Sequence, residues 1–251
     1  MKNEYLENLE KIEFVVTNAC TGKCKHCSEG EHCVSGEFIN AEIASQAVEK
    51  TASLYRIKTV MAFGGEPLLY PETVFEIMKS ALRMNVPKRQ IITNGYFSKN
   101  TQDIRSIAKK LAECGVNEIL LSVDAFHQET IPLDVVKIFA SAVKENDIPL
   151  KLQPAWLRNP FDDNPYNRKT REILDSFADM ELYENEGNII FPEGNAKKYL
   201  SEYFTGEIPE NPYVDNPKDV RCLSFSADGS VLCSNVYEKD ILDILKEYKP
   251  Q

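Results

Sequence analysis

Short runs of aliphatic and β-branched residues alternate along this chain with longer stretches in which apolar positions recur every three or four residues. The short runs predict strands at IEFVV (12–16), TVMAF (59–63), QIIT (90–93), EILLSV (118–123), PLKLQ (149–153) and NIIF (188–191). The longer stretches predict helices over 41–55, after Asn40 as N-cap, and from Pro71, which suits a first turn. Further helices are expected over 100–113, stopped by Gly115, over 132–145, over 167–177 and after Gly194. Six strand–helix repeats imply an α/β fold, a parallel sheet with helices outside and right-handed crossovers. The strands are nearly continuous apolar runs, as expected where both faces of a sheet are buried. An open doubly wound sheet and a curved, barrel-like one share this pattern. Both collect ligands at the C-terminal ends of their strands.

The texture changes near residue 204. Residues 205–219, TGEIPENPYVDNPKD, read as a linker rich in Pro, Asn and Asp. RCLSFSADGSVLCSN (221–235) then reads as a hairpin around Ala227-Asp228-Gly229 with one cysteine on each arm, followed by a short helix near 239–248. The expected division is a core domain over 1–204 and a small C-terminal hairpin-and-helix extension over 205–251. Within the core, ELYENE (181–186) reads as a solvated acidic surface. The loop PAWLRNPFDDNPY (154–166), on the ligand-collecting side, offers Trp156 and Arg158 for substrate contacts.

With 251 residues, 43% of them hydrophobic, the chain can bury one sizeable core. A formal net charge of −10 removes any general attraction to nucleic acid or an anionic membrane surface. No apolar run approaches the roughly 20 residues that span a bilayer. The start, MKNEYLENLEKIE, is polar and lacks a secretory core, so a cytoplasmic protein is expected. In a reducing cytosol, seven cysteines suit metal binding or catalysis better than a disulfide framework.

Four of the seven lie within TNACTGKCKHCSEGEHC (17–33). Cys20, Cys24 and Cys27 form C-x3-C-x2-C directly after the first strand, where a loop can bring three thiolates to one point. Thiolates suit both iron–sulfur clusters and zinc. Three of them on a four-iron cluster leave one iron free for a substrate or cofactor. Cys33 offers a fourth ligand, and His26 or His32 would complete a zinc site instead.

Taken together, the motifs resemble those of the radical S-adenosylmethionine (SAM) superfamily. The resemblance rests on Cys20-Thr21-Gly22-Lys23-Cys24-Lys25-His26-Cys27, with a ring residue before the third cysteine. Gly64-Gly65-Glu66-Pro67 ends the second strand, Ile92-Thr93-Asn94-Gly95 the third and Ser122-Val123-Asp124 the fourth, in the family's order. It extends over residues 11 to 200 and implies a partial (β/α)6 barrel. It also implies one 4Fe–4S cluster on Cys20, Cys24 and Cys27, with SAM chelating the iron that lacks a cysteine. Gly64, Gly65 and Glu66 are implied to bind the methionyl amino group. Asn94, Ser122 and Gln153 are further candidates for cofactor contacts. Asp124 and His127 are candidates for acting on cofactor or substrate, with an N-cap and a hydrogen-bonded structural histidine as the plain alternatives. The implied chemistry is one-electron reduction of SAM, giving a 5′-deoxyadenosyl radical that abstracts a substrate hydrogen.

Phe191-Pro192-Glu193-Gly194-Asn195-Ala196 resembles a step found in superfamily members with a cysteine-rich C-terminal extension, the SPASM and twitch groups. Cys222, Asp228-Gly229, Val231 and Cys233 resemble the start of that extension. Many such members modify peptides or proteins, so a peptide is the leading substrate expectation and a small molecule the alternative. No cysteine follows Cys233, and only Cys33 and Cys114 remain elsewhere, so a degenerate extension without a second cluster is expected. An electron donor such as flavodoxin or ferredoxin is the implied partner.

Overall fold

In a computed structural model, residues 3–205 and 216–250 are described. Most of the expected linker lies outside these residues. Strands and helices alternate as β1 (Lys11–Val15), α1 (Ala41–Leu54), β2 (Thr59–Phe63), α2 (Pro71–Arg83), β3 (Lys88–Thr93), α3 (Thr101–Glu113), β4 (Glu118–Ser122), α4 (Ala125–Gln128), α5 (Leu133–Glu145) and β5 (Leu150–Gln153). There follow β6 (Ala155–Trp156), α6 (Pro165–Asp175), β7 (Tyr183–Glu184), β8 (Asn188–Ile189), α7 (Gly194–Tyr199), β9 (Cys222–Phe225), β10 (Ser230–Val231), β11 (Ser234–Asn235) and α8 (Ile241–Glu247).

Local chemistry fixes the ends of these elements. The Asn40 side chain accepts the Glu42 and Ile43 amides at the start of α1, and Asn100 accepts the Gln102 amide for α3. Gly115, just beyond α3, has φ 88°, a left-handed stop that a side chain would resist.

Seven strands form one sheet in the order β7-β5-β4-β3-β2-β1-β9, every neighbour parallel. The sheet stays open between β7 and β9. Its helix-covered face holds Ile12, Phe14, Val60, Ala62, Ile91, Ile119 and Leu121, packed with Ala47, Val48, Ile77, Leu111 and Phe139 of α1, α2, α3 and α5. The other face is less apolar than expected. Burial alternates along β1 and β4, leaving Lys11, Glu13, Val15, Glu118, Leu120 and Ser122 half-buried. Glu13 pairs with Lys11 at 2.5 Å, and Glu118 with Lys88 at 2.7 Å and Lys151 at 2.6 Å. β1 and β4 are therefore buried on one face only, whereas β2, with Val60, Met61 and Ala62 all buried, is covered on both. The second face mixes these ion pairs with apolar Val15, Met61 and Leu120.

Two strand assignments need correction. The run at 188–191 is not the sixth strand of the main sheet, because β8 pairs with β6 in a separate two-stranded ladder. The place beside β5 belongs to β7, inside the acidic run read as bare surface. Tyr183 and Glu184 ladder with Lys151 and Leu152, while their side chains remain exposed. Polar side chains hide this strand because an edge strand needs only its backbone to pair.

The hairpin reading also changes. The turn at Ala227–Gly229 forms, with the Gly229 amide on Ser226 O at 2.9 Å. However, β9 joins the main sheet alongside β1, with Cys222 opposite Lys11. Cys233 lies in the tight turn between β10 and β11, where Leu232 and Cys233 have φ of 48° and 59°. Left-handed non-glycine residues cost on the order of 1–3 kcal/mol each. The extension is thus tied into the sheet, and α8 packs over the N-terminus, where Asn3 Nδ2 donates to Leu245 O (3.1 Å) and Tyr248 O (2.7 Å). Among the described residues, no helix is long and apolar enough to cross a membrane.

Phe14 of β1 and Phe225 of β9, both fully buried, stack at 4.7 Å between centroids. Phe225→Ala should cost about 3–5 kcal/mol, read by urea unfolding. A loss below about 1 kcal/mol, the range of surface substitutions, would show that β9 is a dispensable appendage.

Candidate active site

The loop after β1 carries the three motif cysteines. Cys20 and Cys24 are buried and Cys27 is half-buried. Gly22 sits between the first two, since a Cβ placed there would lie 3.2 Å from Cys24 Sγ and 3.6 Å from Cys20 Sγ. Cys27 is near enough for its charge to oppose ionisation of both. Burial pushes the Cys20 thiol up to about 11, and burial raises Cys24 as well. Two buried thiols around a residue without a side chain, with a third on the same loop, suit a metal centre, whose positive charge offsets the cost of ionising buried thiols. Cys33 is exposed and joins the loop through its carbonyl, which accepts the Cys20 amide at 2.8 Å. His32 places Nε2 3.1 Å from Cys27 Sγ and Nδ1 2.7 Å from Asn18 O. The hydrogen bond with Cys27 raises its pKa despite partial burial.

Gly64 and Gly65 lie directly against this loop. The Gly65 amide donates to Thr17 O and the Glu66 amide to Ala19 O, both at 2.8 Å. A Cβ on Gly65 would fall 2.2 Å from Ala19 O, and one on Gly64 2.5 Å from Thr17 O. Only glycine allows this backbone approach, so the tight turn and the candidate site are one feature.

The Glu66 side chain departs from expectation. It is completely buried and accepts from the Leu68 amide (3.0 Å), Thr93 Oγ1 (2.7 Å) and the Asn94 amide (2.8 Å). Its carboxylate ties the β2 and β3 loops together and does not stand free for an ammonium group. Burial pushes this carboxyl up to about 7, against three donors that favour the anion. Asn94, 5% exposed, turns Nδ2 toward Cys20 Sγ (3.5 Å) and Thr21 Oγ1 (3.3 Å).

Asp124 caps α4 and is fully buried. Its Oδ1 accepts the Phe126 and His127 amides, and its Oδ2 meets His127 Nδ1 at 2.7 Å and the Ala155 amide at 3.0 Å. Burial opposes its charge, but neighbouring His127 and these donors hold the carboxyl down at about 2. The N-cap reading holds, and the same carboxylate also fixes the His127 ring. The His127 ring packs edge-on to His26, 4.7 Å between centroids, and His26 also meets Phe126 at 5.1 Å. His26 Nδ1 is shielded from solvent and has no hydrogen-bond partner. Burial lowers the pKa of this imidazole to about 4, which keeps it neutral.

Ser122 and Gln153 end β4 and β5 as direct neighbours in register. The Gln153 carboxamide already donates to Asn188 Oδ1 (3.2 Å) and accepts from Asn185. Ser122 is half-buried. In the following loop, Trp156 is buried and donates to Glu186 O at 2.9 Å, so it packs the core. Arg158 is exposed, with Asp162 at 3.4 Å.

The sequence reading missed the far side of the cysteine loop. Gly194 and Asn195 begin α7 and lie against it: the Asn195 amide donates to Cys27 O at 2.8 Å. The only signal was the 191–196 tract, quoted for its resemblance alone.

The family model of the Radical SAM superfamily matches residues 14–147, just over half the chain. The chain belongs to the radical SAM superfamily. Membership implies an enzyme with a 4Fe–4S cluster and SAM, and the cysteine loop fits such a group in donor type. The probable GTP 3′,8-cyclase of Methanocaldococcus jannaschii is 25% identical over 129 residues, 51% of this chain and 41% of that protein. The GTP 3′,8-cyclase of Clostridium perfringens strain SM101 is 23% identical over 214 residues, 79% of this chain and 61% of that protein. The chain thus spans less than two thirds of these relatives' length. Among solved structures, anSMEcpe with bound AdoMet superposes with a TM-score of 0.60 at 14% identity, over 96% of this chain and 81% of that one. Streptococcus suis SuiB bound to S-adenosylmethionine gives 0.53 at 16% identity, over 96% and 66%. These likenesses establish the partial-barrel fold of the radical SAM type.

Glu66 makes one radical SAM loop junction pH-sensitive. The folded state holds its proton up to about 7, whereas the unfolded chain releases it near 4.5, so this residue's contribution to stability declines as pH rises across that window. Melting temperatures from pH 4.5 to 8 should show a fall in the wild-type protein that is absent in Glu66→Gln. Parallel curves would exclude the junction as the source.

Proposed function

We propose that Cys20, Cys24 and Cys27 hold the cluster and that the protein cleaves SAM reductively to abstract hydrogen from a substrate. The observation that carries this reading is the loop that bears the three cysteines, with the Cys20 and Cys24 thiols buried on either side of Gly22, its backbone bonded to Gly65 and Glu66, and Asn94 turned toward Cys20. When bound, the cluster supplies one electron to SAM, breaking its C5′–S bond to give methionine and the 5′-deoxyadenosyl radical. The chain's own groups would place the cofactor. The amides of Gly65 and Glu66 bond to the loop and Glu66 O accepts from Leu69, so the carbonyls of Gly64 and Gly65 would be the acceptors for the methionyl ammonium. Asn94 Nδ2 donates toward Cys20 and away from water. Ser122 is the half-buried hydroxyl at the end of β4 suited to cofactor or substrate.

Asp124 fixes the Nδ1 proton of His127, which leaves Nε2 to accept or release a proton on the substrate. His26 is held neutral by burial, with its enclosed Nδ1 unpartnered.

For the substrate class, the names of the curated relatives favour a small polar molecule of nucleotide type over a peptide. The peptide expectation rested on the resemblance of the C-terminal extension. There Cys222 begins β9 opposite Lys11. That is four residues before the end of β1, or about 13 Å along the strand, on the side away from the cysteine loop. A reductant protein of flavodoxin or ferredoxin type would supply the electron.

Single Cys20→Ala, Cys24→Ala and Cys27→Ala variants should each lose 5′-deoxyadenosine formation from SAM and dithionite by at least about a thousandfold, as when a reaction's electron source is removed. Anaerobic reconstitution followed by chromatography measures this. Normal turnover in any one variant, or one zinc and no iron per chain after reconstitution, would refute the assignment.

A further inference from the structure

The cysteine loop is gripped from two sides, and one grip belongs to a segment 170 residues downstream. Asn195 is 6% exposed. Its Nδ2 donates to Cys24 O at 3.1 Å and to Gly30 O at 3.0 Å, and its backbone amide donates to Cys27 O at 2.8 Å. One residue thus satisfies three carbonyls spread over residues 24–30, the half of the loop that bears two of the three thiols. Both carboxamide hydrogens are used, and no other uncharged side chain of this size supplies two donors so close to its own backbone. Gly194 makes the approach feasible, because a Cβ there would lie 2.2 Å from Ser28 O and 2.7 Å from Cys27 O.

The post that carries this clasp is itself fixed. Ala196 of α7 and Leu200, just beyond its end, are fully buried in a second apolar cluster with Phe126, Ala155, Leu157 and Ile190. Phe126 is the neighbour of His127 and touches His26. Loop, α4 and α7 are therefore joined by packing on one side and by hydrogen bonds on the other.

We propose that Asn195 is a positioning residue for the iron–sulfur cluster: it holds the Cys24–Gly30 backbone in the conformation that aims Cys24 and Cys27 at a common point. This rests on the reading of the three cysteines as cluster ligands. Without the clasp the loop must be ordered by the metal alone, so part of the binding free energy is spent on ordering. Losing two buried hydrogen bonds corresponds to about ten- to a hundredfold in an equilibrium.

The test compares Asn195→Ala and Asn195→Asp with Asn167→Ala. Asn167 is an equally buried carboxamide, which binds the carbonyls of Leu157, Asn159 and Asp162 in a different loop. Two quantities are read: the rate of iron release to a chelator from anaerobically reconstituted protein, and hydrogen exchange at amides 24–30 in the metal-free chain. Both Asn195 variants should release iron about tenfold faster or more and lose protection at 24–30. Asn167→Ala should lower the melting temperature yet leave both readings unchanged. Unchanged release and exchange in the Asn195 variants, or equal changes in Asn167→Ala, would overturn the proposal. If Asn195→Ala does not fold, Asn195→Asp keeps the shape and the backbone donor and exchanges the two carboxamide donors for a carboxyl oxygen that repels the same carbonyls. If the unaltered protein takes up no iron, the cysteine reading fails, and hydrogen exchange alone decides whether the clasp orders the loop.

Discussion

The backbone seam between Thr17–Ala19 and Gly64–Glu66 carries the rest of the site. Two amide-to-carbonyl bonds of 2.8 Å join the loop after β1 to the end of β2, at a separation that leaves no room for a Cβ. The parallel register of β1 with β2 brings the two strand ends level, and the glycines let them touch. Cys20 follows the seam directly, so its thiol inherits a fixed origin. Glu66 extends the seam sideways to Thr93 and Asn94, and Asn94 returns to Cys20. A short circuit of hydrogen bonds thus passes through three consecutive strand ends.

Around this circuit, the electrostatics favour uncharged groups. Two buried thiols resist ionisation, a buried carboxyl keeps its proton above the usual range, and the adjacent imidazole of His26 is held neutral. Asp124 is the exception, ionised in full burial because three backbone amides and the His127 ring surround it. The site therefore holds one permanent negative charge at α4 and a set of latent ones at the cysteines.

Much of this was legible because strong local signals coincide with the site. The cysteine spacing, the paired glycines and the strand runs up to β5 all depend on near neighbours in sequence. The failures were long-range. Tyr183 and Glu184 form a strand only because Lys151 and Leu152 offer a free edge, and no apolar pattern announces that. The parallel partnership of β9 with β1 spans 211 positions, from Lys11 to Cys222, and the local hairpin signal around Gly229 concealed it. Glu66 and Gln153 were identified as residues near the site, but their side chains are used by neighbours that only the fold brings together. Asn195 reads as an ordinary helix-start residue until its carbonyl partners are seen.

Because β9 is the late-made partner of the earliest strand, β1 keeps an unpaired edge while about two hundred residues are synthesised, at roughly 5–20 residues per second. Parallel pairing at such separation is slow to close. During those tens of seconds the nascent thiols sit next to an open strand, with neither the downstream carboxamide nor the final ladder in place. The strand that launches the cysteine loop is thus among the first made, and it gains its second partner only when residues 222–225 have emerged.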